Sequence, residues 1–258
     1  MFTYLIIFLS FFALLAVFIR RVYLVFKKKA VVEEKAPFTG APVETSEEPK
    51  KKMPRDKKLE MQKLYDRAQA HIKKCNPKEA VKTLIKALSL DPDYMDAQKE
   101  LGRLYLEHQM WGKAAAVYKY LSEKTNDPID YSHLGLSSYN AGDLEAAVEA
   151  YQKAVTLDPL RAPRYVSLAQ VYRDLKKDQL ALISVNKALE IDFSNIDHLL
   201  LASDIQMNLN GLVEAKELLR KVLEHDPANK IAAKLLAEVE ARERAKEEEG
   251  GAGNGTQA

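Results

Sequence analysis

The residues able to do chemistry are few and scattered. Cys75 is the sole cysteine. An internal disulfide and a paired-cysteine zinc or iron–sulfur site are therefore excluded. The five histidines are His71, His108, His133, His198 and His225. No two of them stand four residues apart, the spacing that brings two imidazoles together on one helix face, so a helix-borne metal site has no basis. The glycines Gly250, Gly251, Gly253 and Gly255 follow a charged stretch and open no helix, so they do not read as a phosphate or dinucleotide loop. No GxxxxGK segment occurs. Tyr118, Tyr120, Tyr131, Tyr139, Tyr151, Tyr165 and Tyr172 could be a base-stacking platform. Most stand at positions of helical periodicity instead, which favours packing. No catalytic constellation is visible, and no cofactor, metal, nucleic acid or small-molecule substrate is expected.

The elements that must position these side chains come from an internal repeat. Segments begin at Met61, Met95, Pro128, Ala162 and Ile196, at spacings of 34, 33, 34 and 34 residues. Counting each start as place one, place eight is small throughout: Ala68, Gly102, Gly135, Ala169, Ser203. Place twenty is alanine in every unit: Ala80, Ala114, Ala147, Ala181, Ala215. Place twenty-four is Leu84, Tyr118, Tyr151, Val185 and Leu219, and place twenty-seven is Ala87, Leu121, Ala154, Ala188 and Val222. Each unit holds two apolar-periodic stretches separated by a short break, as at Ala141–Gly142–Asp143. Small residues at places eight and twenty let two helices cross closely, and place twenty-four fills the gap. Asp91–Pro92, Asp158–Pro159 and Asp226–Pro227 stop the second helix. One helix pair cannot bury its apolar face alone, whereas stacked pairs can. The expected fold is all-α: a right-handed α-solenoid of about five helix-pair repeats over residues 57–229, preceded by one transmembrane helix. A capping helix is expected over 230–249 and a disordered tail over 250–258.

This pattern resembles the tetratricopeptide repeat family. Tyr131, Leu134, Gly135, Gly142, Ala147, Tyr151, Ala154 and Pro159 carry it in the third unit. Leu101, Gly102, Tyr105, Ala114 and Tyr118 carry it in the second. Phe193 stands where proline is usual and Cys75 where glycine is usual. Arg67 and His71 occupy normally apolar places, which suggests a frayed first unit. The resemblance implies that the first helix of each pair lines a concave face that holds partner proteins or peptide segments. Carried over by place, the lining includes Tyr65, Gln69, Ser132, Leu136, Val166, Leu200, Asp204, Met207 and Asn208. Its candidate partner-binding residues are Lys99, Arg103, Tyr139, Asn140, Gln170 and Arg173. Three of these six are cationic, so an acidic partner segment is expected. Lys99 and Arg103 alone hint at the paired Lys/Asn clamp for a terminal carboxylate, and the clamp is not assigned.

Charge is uneven along the chain. Residues 1–60 carry 12 Lys/Arg against 7 Asp/Glu, a balance of +5; the remainder carries 27 against 30, a balance of −3. The repeat region therefore lacks the electrostatic footprint of a nucleic-acid binder. Phe2–Ile19 is an uncharged run of 18 residues. At about 1.5 Å per residue it spans roughly 27 Å, close to a ~30 Å hydrocarbon core. Arg20, Arg21 and Lys27–Lys29 follow it, and basic residues on the C-terminal side place that side in the cytoplasm. Residues 1–29 thus read as a single-pass inner-membrane anchor with the N-terminus outside. A cleaved signal peptide would show a basic start and a small-residue cleavage site, and neither is present. Residues 30–56, with Pro37, Pro42, Pro49 and Pro54, read as a flexible linker.

Two functions fit these features. One is a membrane-tethered scaffold that recruits partner proteins through the concave face. The alternative is a regulator of envelope or membrane-complex assembly, similar to the anchored lipopolysaccharide-assembly protein with these repeats but without its metal domain. An enzyme is not expected.

Overall fold

The computed structural model describes residues 54–252, with side chains through Lys246. The expected anchor at 1–29, most of the linker and the tail beyond Ala252 lie outside these residues. Among the described residues there are eleven helices and no strand. The first helices of successive pairs are α1 (Arg55–Lys73), α3 (Met95–Glu107), α5 (Pro128–Asn140), α7 (Ala162–Asp174) and α9 (Ile196–Asn208). Their partners are α2 (Pro77–Leu90), α4 (Trp111–Thr125), α6 (Leu144–Leu157), α8 (Asp178–Ile191) and α10 (Leu212–His225). The last helix, α11 (Lys230–Ala252), follows α10. No described helix is long and apolar enough to cross a membrane.

The turn inside each pair is the same in all five repeats. Cys75, Gln109, Gly142, Lys176 and Asn210 occupy place fifteen, with φ between 53° and 86°. In the third repeat Gly142 N–H donates to the Tyr139 carbonyl and Asp143 N–H to the Ser138 carbonyl; the other four turns repeat this pair of bonds. This is the Schellman ending, which satisfies the orphan carbonyls of the first helix through one left-handed residue. Only one of the five is glycine. The helix end therefore imposes the conformation, and Cys75, Gln109 and Lys176 adopt it against their own preference.

Side-chain caps start several helices. The Asp143 carboxylate accepts from Ala146 N–H at 3.0 Å, and Asp127 accepts from Ile129 N–H at 2.8 Å. Asn195 accepts from His198 N–H at 3.2 Å. Each satisfies one of the four orphan donors of a helix start. Phe193, at the place of the usual proline, is not needed as a stop. Asp192 leaves the helical region at φ −134°, and Phe193 projects into solvent, 79% exposed.

Packing follows the place pattern. All five place-twenty alanines are fully buried. In the second and third repeats place eight faces place twenty-four. A Cβ on Gly135 would lie 2.9 Å from the Tyr151 ring, and one on Gly102 would lie 3.0 Å from that of Tyr118. The two glycines thus go with the two tyrosines, while Ala68, Ala169 and Ser203 go with Leu84, Val185 and Leu219. The summed size of the pair stays nearly constant, as a close-packed interior requires. The tyrosines at these places are buried core residues, which agrees with packing rather than base stacking.

The first repeat is fully formed rather than frayed. Met61 and Ala68 are buried, and Tyr65 meets Tyr94, the N-cap residue of α3, edge-on at 5.4 Å between ring centres. Arg67 is exposed and His71 half-buried. No repeat packs before α1 among the described residues, so polar groups there lose little hydration. The helix also starts at Arg55, taking in two residues read as linker, directly after Pro54. At the other end α11 buries Ala232 and Val239 against α10. It runs through Gly250 and Gly251 to Ala252 instead of ending at Glu249, since an established helix propagates at one hydrogen bond per residue added.

Candidate partner-binding face

The first helices of neighbouring repeats stand side by side, and polar side chains link them. The Tyr139 hydroxyl on α5 donates to Asp174 Oδ2 on α7 at 2.6 Å. Gln170 Nε2 donates to Asp174 Oδ1 at 3.3 Å, and Arg173 Nη1 donates to Gln170 Oε1 at 3.4 Å. Arg173 Nη2 then pairs with Asp204 on α9. The result is a continuous row, Tyr139–Asp174–Gln170–Arg173–Asp204, across three first helices. The hydrogen bond to Asp174, followed by partial burial, raises the Tyr139 pKa above the usual phenol value.

Three of the six candidate residues, Tyr139, Gln170 and Arg173, belong to this row. Asn140 is exposed and donates to its own helix at the Leu136 carbonyl, 2.8 Å away. Lys99 and Arg103 are on α3 and do not join it. Lys99 is exposed. Arg103 is held between Glu100 and Glu107, one turn to either side, and this pairing raises its pKa, with the Glu100 hydrogen bond as the main cause. Both arginines thus face carboxylates of this chain. The positive charge expected for an acidic partner is compensated, leaving Lys99 as the one cation of the six without an ion pair among the described residues.

Beside the row lies a hollow of about 430 Å³ between α5 and α7. Ile129, Leu136 and Pro163 supply apolar walls, with Ile129 54% exposed. Arg164 closes one side. It donates to Ser132 Oγ at 3.0 Å and pairs with Asp158 at 2.5 Å, which holds the Asp158 carboxyl below its ordinary pKa. Place-by-place reasoning missed Ile129, Pro163 and Asp174. Asp204 was legible as lining but not as the partner of Arg173. Among the described residues, no group of three or more His, Cys, Asp or Glu is arranged to hold a metal ion.

Family models described as tetratricopeptide repeat match residues 65–128, 128–161 and 162–195, together just over half of the chain. Sperm-associated antigen 1 of Mus musculus is 38% identical over 106 residues, covering 41% of this chain and 12% of that protein. The chain thus matches about an eighth of that relative's length. Among solved structures, MamA is 21% identical with a TM-score of 0.60, covering 64% of this chain and 90% of MamA. YrrB, described as a tetratricopeptide repeat protein with an unusual peptide-binding site, is 19% identical with a TM-score of 0.60, covering 70% of this chain and 96% of YrrB. These two likenesses concern the fold. With five identical turns, the place-eight to place-twenty-four packing and these matches, the chain belongs to the tetratricopeptide repeat family.

Proposed function

We propose that this protein is a non-catalytic adaptor that holds a segment of a partner protein along the face formed by its first helices. The contacts would come from Lys99, Arg103, Tyr139, Asn140, Gln170 and Arg173. The observation that carries the reading is the row from Tyr139 to Asp204. Core packing does not require polar groups there, and the row fixes their orientation in advance, which lowers the entropic cost of binding. Because the arginines are already compensated, the reading favours a partner recognised by hydrogen bonds and an apolar side chain in the Ile129–Leu136–Pro163 hollow over a simply acidic one. The uncharged run Phe2–Ile19 and the basic residues after it support a second element of the proposal. Residues 1–29 hold the adaptor at the inner membrane in a single pass, with the repeats in the cytoplasm.

A photo-crosslinking residue in place of Gln170, compared with one in place of Glu149 on α6, tests the face in cells. Crosslinked partner is expected from position 170 and not from 149. The reverse pattern would move binding to the second helices. Fractionation tests the tether: the full-length chain belongs in the membrane pellet, and its recovery in the soluble fraction would remove that element.

A further inference from the structure

A second hollow, away from the polar row, opens on the edge formed by the turns of the first two repeats. It measures about 410 Å³ and is lined by Pro77, Lys78, Val81, Tyr105, Met110 and Lys113, with His108 beside them. Its floor is apolar. Tyr105 is buried, and Val81 and Met110 pack on the core around it. Its rim carries two lysines and a histidine, all exposed. None of the three makes an ion pair among the described residues. No carboxylate lines the hollow, and the nearby ones are engaged elsewhere: Glu79 with Lys82 at 3.6 Å, and Glu107 with Arg103. Lys113 lies over the Tyr105 ring at 5.6 Å from its centre, so one cation already leans across the opening. The start of α4 adds to the same sign, with no acidic residue in its first turn.

We infer that this edge hollow is a docking site for an acidic protein segment, which inserts one large apolar side chain between Tyr105, Val81 and Met110 while its neighbouring carboxylates meet Lys78 and Lys113. The division of labour follows from the geometry. Apolar floor and cationic rim are separated, so a ligand must carry its apolar group and its negative charge on adjacent but distinct positions, as a polypeptide does. The volume suits one or two large side chains. Uncompensated charge on the rim favours encounter with an acidic partner and makes it salt-dependent. This site does not depend on the row at Tyr139 and could serve a different segment of the same partner, joined by avidity.

The test uses the full-length chain in detergent and a fluorescent acidic peptide with one central phenylalanine among Asp and Glu residues. Saturable binding that weakens with salt is expected, along with a change in emission from Trp111, the sole tryptophan, which opens α4 next to Met110. Lys78→Glu with Lys113→Glu should weaken binding about tenfold or more, the loss of two charge contacts with reversal of sign. Both side chains are exposed, and circular dichroism checks that the variant remains folded. Gln170→Ala should leave this binding unchanged, which separates it from the adaptor face. Three results would overturn the proposal: no saturable binding; equal affinity for the peptide with serine in place of phenylalanine, meaning a bare charge effect; or full displacement by a single-stranded oligonucleotide of equal charge, meaning a generic polyanion surface.

Discussion

At the residue scale, place fifteen separates backbone conformation from side-chain identity. Lys176 has φ 58° and is exposed, so its side chain gives little in return for the left-handed backbone. Lys176→Gly should therefore raise stability by about 0.5–1 kcal/mol, the left-handed penalty less the extra freedom of glycine when unfolded. Gly142→Ala is the mirror test. A Cβ there meets nothing within 4 Å, so its expected loss of about 1 kcal/mol is purely conformational. Chemical denaturation of the two variants checks both signs. His133 makes a different prediction. Its Nδ1 is buried without a hydrogen-bond partner among the described residues, and its ring centre lies 4.7 Å from that of Tyr118. Burial lowers its pKa, against the opposing pull of Asp130 and Asp127. Above the ordinary histidine range it is neutral folded and unfolded, and contributes nothing. As pH falls through that range the unfolded chain takes up a proton that the folded one refuses, so stability drops until the lower folded pKa is reached. Between about pH 7.5 and 5.5, the melting temperature of the wild type should fall more than that of His133→Phe, which keeps a ring against Tyr118. Parallel curves would mean that His133 does not titrate in this way.

At the scale of elements, the helices were legible because their determinants are local. Apolar periodicity, small residues at fixed places and Asp-Pro stops all lie within one 34-residue unit. What was not legible depends on contacts between units. The pairing of Arg173 with Asp204 spans 31 residues, and that of Tyr139 with Asp174 spans 35. Both appear only when successive first helices are laid side by side. The bracketing of Arg103 by Glu100 and Glu107 was available from helical spacing alone, and it removes the charge on which an acidic partner was expected. The last helix shows how an end is finished. Leu235, Leu236 and Val239 of α11 cover the apolar side of α10, and Lys216 pairs with Glu243 at 2.6 Å. Ending the chain after Asn229 would uncover Leu219 and its neighbours. At about 1.5–3 kcal/mol for each large side chain uncovered, the loss should reach several kcal/mol. Glu243→Ala should cost only about 1 kcal/mol or less, since that pair keeps some contact with water. Thermal melts of the two variants rank the contributions. A truncated chain as stable as the full one would show that α11 is not the cap.

At the scale of the whole molecule, each repeat touches only its neighbours, so damage should stay local. Ala147 is the sharpest probe of that coupling. It is fully buried in the third repeat, in the core cluster shared with Tyr151, Leu168 and Ala169. The fixed alanine in the sequence and the zero exposure in the structure have one cause: two helix backbones approach too closely there for a longer side chain. Ala147→Leu must push α5 from α6 or turn a neighbour from its rotamer, at a cost of about 1–3 kcal/mol. The strain enters the α5–α6 pair first and reaches α7 through Leu168 and Ala169. Hydrogen exchange should accordingly accelerate in α5 to α8, while α1 and α2 keep wild-type protection because no packed contact joins them to the altered site. Uniform acceleration along all repeats would mean that the solenoid opens as one cooperative unit. In that case the polar row at Tyr139 and the edge hollow at Tyr105 would share one stability, and a ligand at either would strengthen the other without any contact between them.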